Sequence, residues 1–487
     1  MAVLEKRWIT RYLTWQNAAY AIAFIGFLYI AALTGSHHEP WADEAQAWLI
    51  ARDCTYWEII AKYASFEGTP CLWHLILKTL MLLGLTYQYL YLVSVFFSSL
   101  GVFLFLFQSK FPPYIKITFP FTYFVLYQFT VVSRSYCLIL PALCFVAIIY
   151  AKRFTKPWLF SLALLLLSQI CIYTLLTAGL LFLLHLKDMF QLRKDKEKKK
   201  LLRRNVWSMA VVGLGFLLTA LYVYPPSDLT FAVGYSMNPL IVLTKAVLIG
   251  STSLVGNTAS LLSMIIGGSL FIIILLFLFR QYKPMRPLLF LVITLTVFIS
   301  IIHFNFYHAG ILFITFISAL WIFGTDAFFQ NIQRMKPILI SGVFLFIAIV
   351  QIYWSVCSVK NDIAGNYSAA QETASYLKEN FPENGTVYGL GVWTTAIEPY
   401  FESNIFQNYN SEKAFYWWSE HNGYMSISEM ISDLPDVAVV SIHEEEDFAE
   451  IIARLNAQGY QSHTFLGSIY MKDSTWAEEG FTVYSKN

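Results

Sequence analysis

The stretch KDMFQLRKDKEKKKLLRR, residues 187–204, holds nine lysines and arginines between two apolar runs, 157–186 and 206–224. Cations that flank membrane spans stay on the cytoplasmic side. The two runs are therefore predicted to cross a bilayer and residues 187–204 to lie at its cytoplasmic face. A basic cluster can also bind nucleic acid. Beside so many apolar segments, a topology anchor that meets anionic headgroups is the better interpretation.

The composition of the whole chain supports a lipid environment. Of the 487 residues, 57% are hydrophobic and 13% charged, whereas a soluble protein carries roughly 25% charged residues. Long apolar runs recur up to residue 355, and ordinary polarity follows. We therefore predict a membrane domain over 1–355 and a soluble domain over 356–487. The first apolar stretch is long for a cleavable signal, which favours a retained helix.

Runs of about 20 apolar residues are long enough to span a membrane. Two longer regions, 115–150 and 157–187, are each divided into two helices by the cations that flank them. This predicts a polytopic protein with its N-terminus inside and its C-terminus outside. With that orientation, 22 of the 33 basic residues lie in cytoplasmic segments and 26 of the 31 acidic residues lie outside. The eleven predicted helices cover 15–33, 86–107, 115–131, 136–150, 157–170, 171–187, 206–224, 262–279, 288–302, 309–325 and 337–355.

The predicted first external loop, residues 34–85, contains the stretch HHEPWADEAQAW at 37–48. Its apolar residues recur at helical spacing, which predicts a helix from Pro40 that lies in the membrane interface. A second amphipathic segment, 72–83, is too short to span and is predicted to lie along the membrane surface. The loop is thus a structured platform.

Asp43 and Glu44 fall in the first turn of the helix predicted from Pro40. The helix macrodipole stabilises carboxylates there by roughly 0.3–1 kcal/mol. On the physics of the sequence alone, this charge effect explains the acidic pair better than any chemistry does.

Four stretches of the chain carry a resemblance: DEAQAWLIARD at 43–53, EGTPCLWHLILK at 67–78, SRSYCLILP at 133–141 and HFNFYHAGILF at 303–313. The arrangement resembles the polyprenyl-phosphate-sugar-dependent glycosyltransferases of the C-type fold, such as protein O-mannosyltransferases and the aminoarabinose transferase of lipid A. Members have an Asp-Glu motif in the first external loop, then a Pro-Pro-Leu-aromatic segment. The chain departs from the pattern at Gly68-Thr69, where a Lys or His is usual, and at Cys71, where the second Pro is usual.

The resemblance implies transfer of a sugar from a lipid phosphate by a single displacement with inversion. Such a reaction needs a base for the acceptor hydroxyl and donors that hold the departing phosphate. Asp43 is then the candidate base, with Glu44 orienting it or contacting the sugar. Arg134 is the candidate phosphate ligand because guanidinium matches phosphate bidentately, although an arginine at a helix end can also simply snorkel.

Further candidate substrate-binding residues lie in the other similar stretches. A single histidine at such a place is usually structural, but two that flank a tyrosine favour a binding role. The remaining candidates are His303, Tyr307, His308, His74 and Lys78.

Neither a GxGxxG nor a P-loop motif occurs, so a nucleotide site has no support. Some relatives use a divalent metal, but the sequence offers no ligand set beyond the acidic pair, and no cofactor is predicted. The six cysteines fit no metal spacing. Cys54 and Cys71 both fall in the first loop, and a disulfide between them stays open.

The segment 356–487 carries a net charge of −13. Helices at 368–380 and 444–458 alternate with strands at 386–391, 437–442, 463–470 and 481–485, which predicts a small α/β domain. Its aromatic run, Phe415 to Trp418, either stacks on sugar rings or packs against the membrane domain.

Together these features predict a glycosyltransferase of the bacterial plasma membrane. Its donor is a polyprenyl-phosphate sugar and its acceptor an external glycan, lipid or protein. A transporter or flippase of a lipid-linked glycan is the alternative, but such proteins place ionisable groups within their spans, whereas here they gather at the outer rim. A non-catalytic scaffold is a third possibility.

Overall fold

The computed structural model describes residues 15–193, 199–231, 237–256, 261–302, 305–334, 338–381, 385–471, 474–477 and 479–486. These residues form a helical membrane domain followed by a small C-terminal domain with two β-sheets, which we call the external domain after its predicted side of the membrane.

Among the described residues, eight helices are long and apolar enough to cross a membrane, so the chain is an integral membrane protein. They are α1 (Trp15–Gly35), α4 (Tyr87–Gln108), α7 (Ile172–Leu192), α8 (Lys199–Tyr222), α10 (Leu262–Gln281), α11 (Lys283–Ile302), α12 (Phe306–Phe323) and α14 (Ser341–Ala364). The shorter helices of the membrane domain are α2 (Ala42–Asp53), α3 (Leu72–Leu82), α5 (Ser135–Tyr150), α6 (Pro157–Ser168), α9 (Pro239–Val255) and α13 (Asp326–Gln333).

Helix α14 runs to Ala364, past its predicted end at 355 and into the segment predicted to be soluble. Two further elements differ more strongly from the predicted helices. The segment 115–131 is not one helix: an α-helical turn (Pro113–Thr118), a 3-10 turn (Phe119–Phe121) and a π turn (Phe124–Gln128) follow one another. Pro120 explains the break because its ring lacks an N–H and clashes with the preceding turn. Helix α9 was missed because Lys245 and a run of small polar residues dilute its apolar pattern. The number of crossings and their orientation stay predictions.

The first loop forms both predicted helices, but α2 is not an interfacial helix. It begins at Ala42, after Pro40, because the Glu44 carboxylate accepts a hydrogen bond from Trp41 N at 3.3 Å and fixes Trp41 as the N-cap. Its N-terminal half, Ala42 and Ala45, packs in the core of the external domain, and its C-terminal half packs in the membrane core. The apolar pattern could not reveal whether lipid or protein covers the helix.

The external domain begins after α14 with helix α15 (Ala370–Asn380). The further elements are β1 (Val387–Leu390), α16 (Ile427–Ser432), β2 (Val437–Ser441), α17 (Ala449–Ala457), β3 (Gln461–Phe465), β4 (Ile469–Met471), β5 (Ser474–Ala477) and β6 (Phe481–Ser485). The four-stranded sheet has the order β1-β2-β6-β3, with β1 and β2 parallel and the other pairs antiparallel. The predicted strand 463–470 is divided into β3 and β4, and the turn predicted at 382–385 lies mostly outside the described residues.

The aromatic run of the external domain packs against the first loop. The rings of Phe415 and Trp417 lie 4.9 and 5.4 Å from that of Tyr63, which favours the packing interpretation over sugar stacking. Cys54 and Cys71 are both free thiols, so the loop is held by packing rather than by a disulfide.

Candidate functional site

A small polar cavity of about 50 Å³ lies where α2, α3 and the segment before α5 meet. Its lining brings together parts of the chain that are far apart in sequence. The residues that line it are Asp43, Ala47, Glu67, Thr69, Trp73, His74, Arg134, Ser135 and Tyr136.

Asp43 and Arg134 form an ion pair at the edge of this cavity. The Asp43 Oδ2 and an Arg134 terminal nitrogen are 2.6 Å apart, and their side chains are 39% and 22% exposed. The rings of Tyr136 and Tyr307 each lie 5.1 Å from the guanidinium carbon and hold it in place. The structure thus joins the candidate base and the candidate phosphate ligand in one accessible site.

Glu44 points the other way and is fully buried. Its Oε1 accepts a hydrogen bond from Ser133 N at 2.5 Å, and its Oε2 accepts one from His38 Nε2 at 3.0 Å. The other imidazole nitrogen, Nδ1, donates to Asp362 at 2.9 Å, at the end of α14. Glu44 does not line the cavity, so contact with a sugar is not supported. Its carboxylate anchors the loop.

His38 lies between the carboxylates of Glu44 and Asp362 and is itself buried. Burial opposes its charged form, but the two carboxylates outweigh that effect and raise the pKa of His38 to about 10. A protonated His38 therefore ties the first loop to α14.

Glu67 is a residue of the site that the sequence did not single out, although it opens the EGTPCLWHLILK stretch. Its Oε1 accepts a hydrogen bond from Gln46 Nε2 at 2.9 Å. Burial raises the pKa of Glu67 to about 7, against the opposing effect of the Gln46 hydrogen bond. No local pattern distinguishes this glutamate, because its partly buried position depends on Gln46 of α2, which lies 21 residues earlier in the chain.

The other predicted residues divide between the cavity and structural roles. His74 lines the cavity, and burial lowers the pKa of His74 to about 4, so the ring is neutral. Lys78 instead donates to Arg52 O at 3.2 Å. His308 accepts from Asn305 N at 3.0 Å and caps α12. His303 lies outside the described residues.

The external domain contacts the helix that carries Asp43 directly. The buried Glu479 accepts a hydrogen bond from Ala42 N at 2.8 Å, at the N-terminus of α2. Tyr416 N donates to Gln46 Oε1 at 2.9 Å, and Gln46 Nε2 donates to Tyr416 O at 2.6 Å. Both domains therefore set the position of α2.

Larger cavities also lie between the membrane helices, but no ionisable side chain lines them. One of about 300 Å³, between α10, α12 and α14, is lined only by apolar side chains. Among the described residues no group of three or more His, Cys, Asp and Glu side chains could hold a metal ion. The polar cavity beside Asp43 is therefore the candidate site.

Comparison with known proteins found a structure of similar fold. No protein-family model and no curated sequence matches the chain. The structure is similar to that of ArnT from Cupriavidus metallidurans bound to undecaprenyl phosphate, with a TM-score of 0.54, 11% identity, and coverage of 96% of this chain and 97% of that one. The chain therefore has the C-type fold of the lipid A aminoarabinose transferase.

Proposed function

We propose that this protein is a membrane glycosyltransferase that takes its sugar from a polyprenyl-phosphate carrier. The observation that carries the proposal is the ion pair of Asp43 and Arg134, 2.6 Å apart and partly exposed, at the meeting point of the membrane and external domains. The likeness to a protein that binds undecaprenyl phosphate supports the carrier.

Asp43 serves as the base in this proposal. It takes the proton from the acceptor hydroxyl while that oxygen attacks the anomeric carbon, and a positioned proton acceptor contributes typically 10²–10⁴-fold to a rate. Asp43 is the second residue of α2, and its neighbours Ala42 and Glu44 are held by Glu479 and Ser133, so its carboxylate has a fixed direction. One attacking oxygen and one departing phosphate give inversion at the anomeric carbon.

Arg134 binds the departing phosphate. A guanidinium has five N–H donors, and the pair with Asp43 engages one terminal nitrogen, which leaves other donors for phosphate oxygens. Contacts with the rings of Tyr136 and Tyr307, each 5.1 Å from the guanidinium carbon, restrain the group, which favours bidentate binding. Tyr307 supports Arg134 rather than the sugar.

The alternative, a flippase for a lipid-linked glycan, has less support. A flippase would need ionisable side chains along the path by which a charged headgroup crosses the membrane. The larger cavities between the membrane helices are instead apolar. The polar cavity lies instead beside α2, whose N-terminal half packs in the core of the external domain.

The test uses the purified full chain in nanodiscs with undecaprenyl-phosphate-linked glucose, mannose and aminoarabinose as separate donors and a bacterial cell-envelope extract as the source of the acceptor. We expect one donor to release undecaprenyl phosphate and Asp43→Asn to lower that rate about 10²–10⁴-fold while undecaprenyl phosphate still binds. If the folded Asp43→Asn variant turns over at the wild-type rate, Asp43 is not the base. Vesicle translocation of an intact lipid-linked glycan without release of the carrier would instead indicate the flippase.

A further inference from the structure

Glu67 meets the same cavity as Asp43 from a different part of the first loop. It ends the 3-10 turn Ala64–Glu67, and Gly68 follows in a left-handed conformation with φ 63°. Because Gln46 is bound at both ends of its amide by the backbone of Tyr416, its hydrogen bond to Glu67 Oε1 fixes that carboxyl in one orientation. Three segments of the chain thus hold Glu67 beside the cavity.

The space that Asp43 and Glu67 share is suited to water rather than to direct contact. The cavity volume is about 50 Å³, and one water needs on the order of 10–15 Å³ of such space. Water with hydrogen-bond partners on both sides can pass a proton between the two carboxyl groups.

The charged groups around Glu67 allow it to change its protonation state near neutral pH. Burial raises the pKa of Glu67 to about 7; the Gln46 hydrogen bond opposes this, the Asp43 carboxylate adds to it, and Arg134 opposes it again. His74, the other titratable group on this wall, is neutral there because burial lowers its pKa to about 4. A carboxyl with such a pKa can accept and release a proton in each cycle.

We propose that Glu67 is a second proton-accepting residue of the site, which receives through cavity water the proton that Asp43 removes from the acceptor hydroxyl. This inference rests on the proposed glycosyl transfer. The acceptor oxygen bonds to the anomeric carbon, the bond from that carbon to the phosphate oxygen breaks with its electron pair on the phosphate, and the proton passes from Asp43 to Glu67. Loss of the proton restores the charge that pairs Asp43 with Arg134.

The experiment measures the release of undecaprenyl phosphate from the active undecaprenyl-phosphate sugar between pH 5 and 9. The variants are Glu67→Gln, Glu67→Asp and the control Glu58→Gln. Glu58 belongs to the same loop but binds Lys413 at 3.2 Å and does not line the cavity. We expect the wild-type kcat to rise with a midpoint near the pKa of about 7 given for Glu67.

Glu67→Gln should lower kcat about tenfold or more, leave the donor KM unchanged and abolish this midpoint. Glu67→Asp should keep a shifted midpoint, and Glu58→Gln should match the wild type. A Glu67→Gln variant with the wild-type kcat and pH profile would overturn the inference. So would equal losses in Glu67→Gln and Glu67→Asp with no change of midpoint, since those indicate a structural role.

A second measurement separates this inference from the proposed function. Infrared difference spectroscopy during a pH titration should show a protonated carboxyl that ionises near pH 7 and disappears in Glu67→Gln. If sugar transfer is absent with every donor while this signal is present, the proposed function fails and Glu67 is only a buried acid. If transfer occurs and the signal is absent, the relay alone is wrong.

Discussion

The two faces of the N-terminus of α2 hold one carboxylate each, and the two differ in almost every physical respect. Asp43 is 39% exposed, pairs with one arginine and borders a polar cavity. Glu44 is fully buried and bound by Ser133 N and a charged histidine. Neighbours on a helix are about 100° apart, so one residue can anchor the helix while the next performs chemistry. With Asp43 as the proposed base, the acidic pair combines an anchor and a catalytic group in one turn of helix.

The largest effect should come from removing the anchor. Glu44→Ala leaves His38 and Asp362 without their third partner, and breaking a buried ionic group by removing one member costs about 3–5 kcal/mol. We expect a large loss of folded protein and a lower unfolding temperature in a thermal melt followed by intrinsic fluorescence.

Asp43→Ala is the matched control, because its partly exposed ion pair is worth at most about 1 kcal/mol. It should melt close to the wild type while losing activity. Similar melting temperatures for the two alanine variants would contradict the distinction between anchor and base.

A change at the exposed ion pair of Asp43 and Arg134 should alter the affinity for the donor rather than the stability of the fold. Arg134→Lys keeps the charge but loses the planar fork that stacks on Tyr136 and Tyr307 and meets phosphate with two bonds. We expect the affinity for undecaprenyl phosphate, measured by native mass spectrometry, to fall about 10–100-fold, the value of one or two charge-assisted hydrogen bonds. Unchanged affinity would remove Arg134 from the phosphate site.

A smaller effect should come from the cap that the external domain places on α2. Glu479→Leu removes the acceptor of Ala42 N, and loss of a helix cap costs about 1 kcal/mol. Hydrogen exchange of the amides in 42–46 should become faster. Glu479→Gln retains an oxygen acceptor and should preserve wild-type exchange. Glu398→Gln, at a buried glutamate that caps Ile405 instead, should leave this segment unchanged.

The last effect is the dependence of stability on pH. Burial raises the pKa of Glu479 to about 8, so the folded protein holds a proton that the unfolded chain releases near pH 4.5, and stability falls as pH rises between these values. His38 acts in the same direction: the stability gained from its pKa of about 10 is lost as pH rises through 10. The melting temperature should therefore fall from pH 6 to 9. Glu479→Gln should flatten this slope, and a steeper slope in that variant would refute the assignment.

The sequence predicted the long helices well because a span of about 20 apolar residues is a local property. The positions of most long helices, the short helix α3 and the final strand follow from hydrophobic runs, but α14 continues to Ala364, beyond its predicted end at 355. Sequence reasoning failed where context decides: Pro120 interrupts an apolar run, and α9 is too polar to be recognised alone. The prediction that the apolar face of α2 lies in the membrane interface was wrong, because an apolar face does not reveal whether lipid or protein lies against it.

Of the site, the sequence by itself determined the acidic pair, Arg134 and the resemblance that joins them, since each lies in a short contiguous motif. Which carboxylate is open and which is buried depends on the tertiary structure, because Ser133 and His38 bond to Glu44 directly and Asp362 holds His38 from the end of α14. Glu67 and Glu479 also depend on that structure. Their raised pKa values arise from burial by distant parts of the chain, and burial of this kind is a property of packing rather than of local sequence.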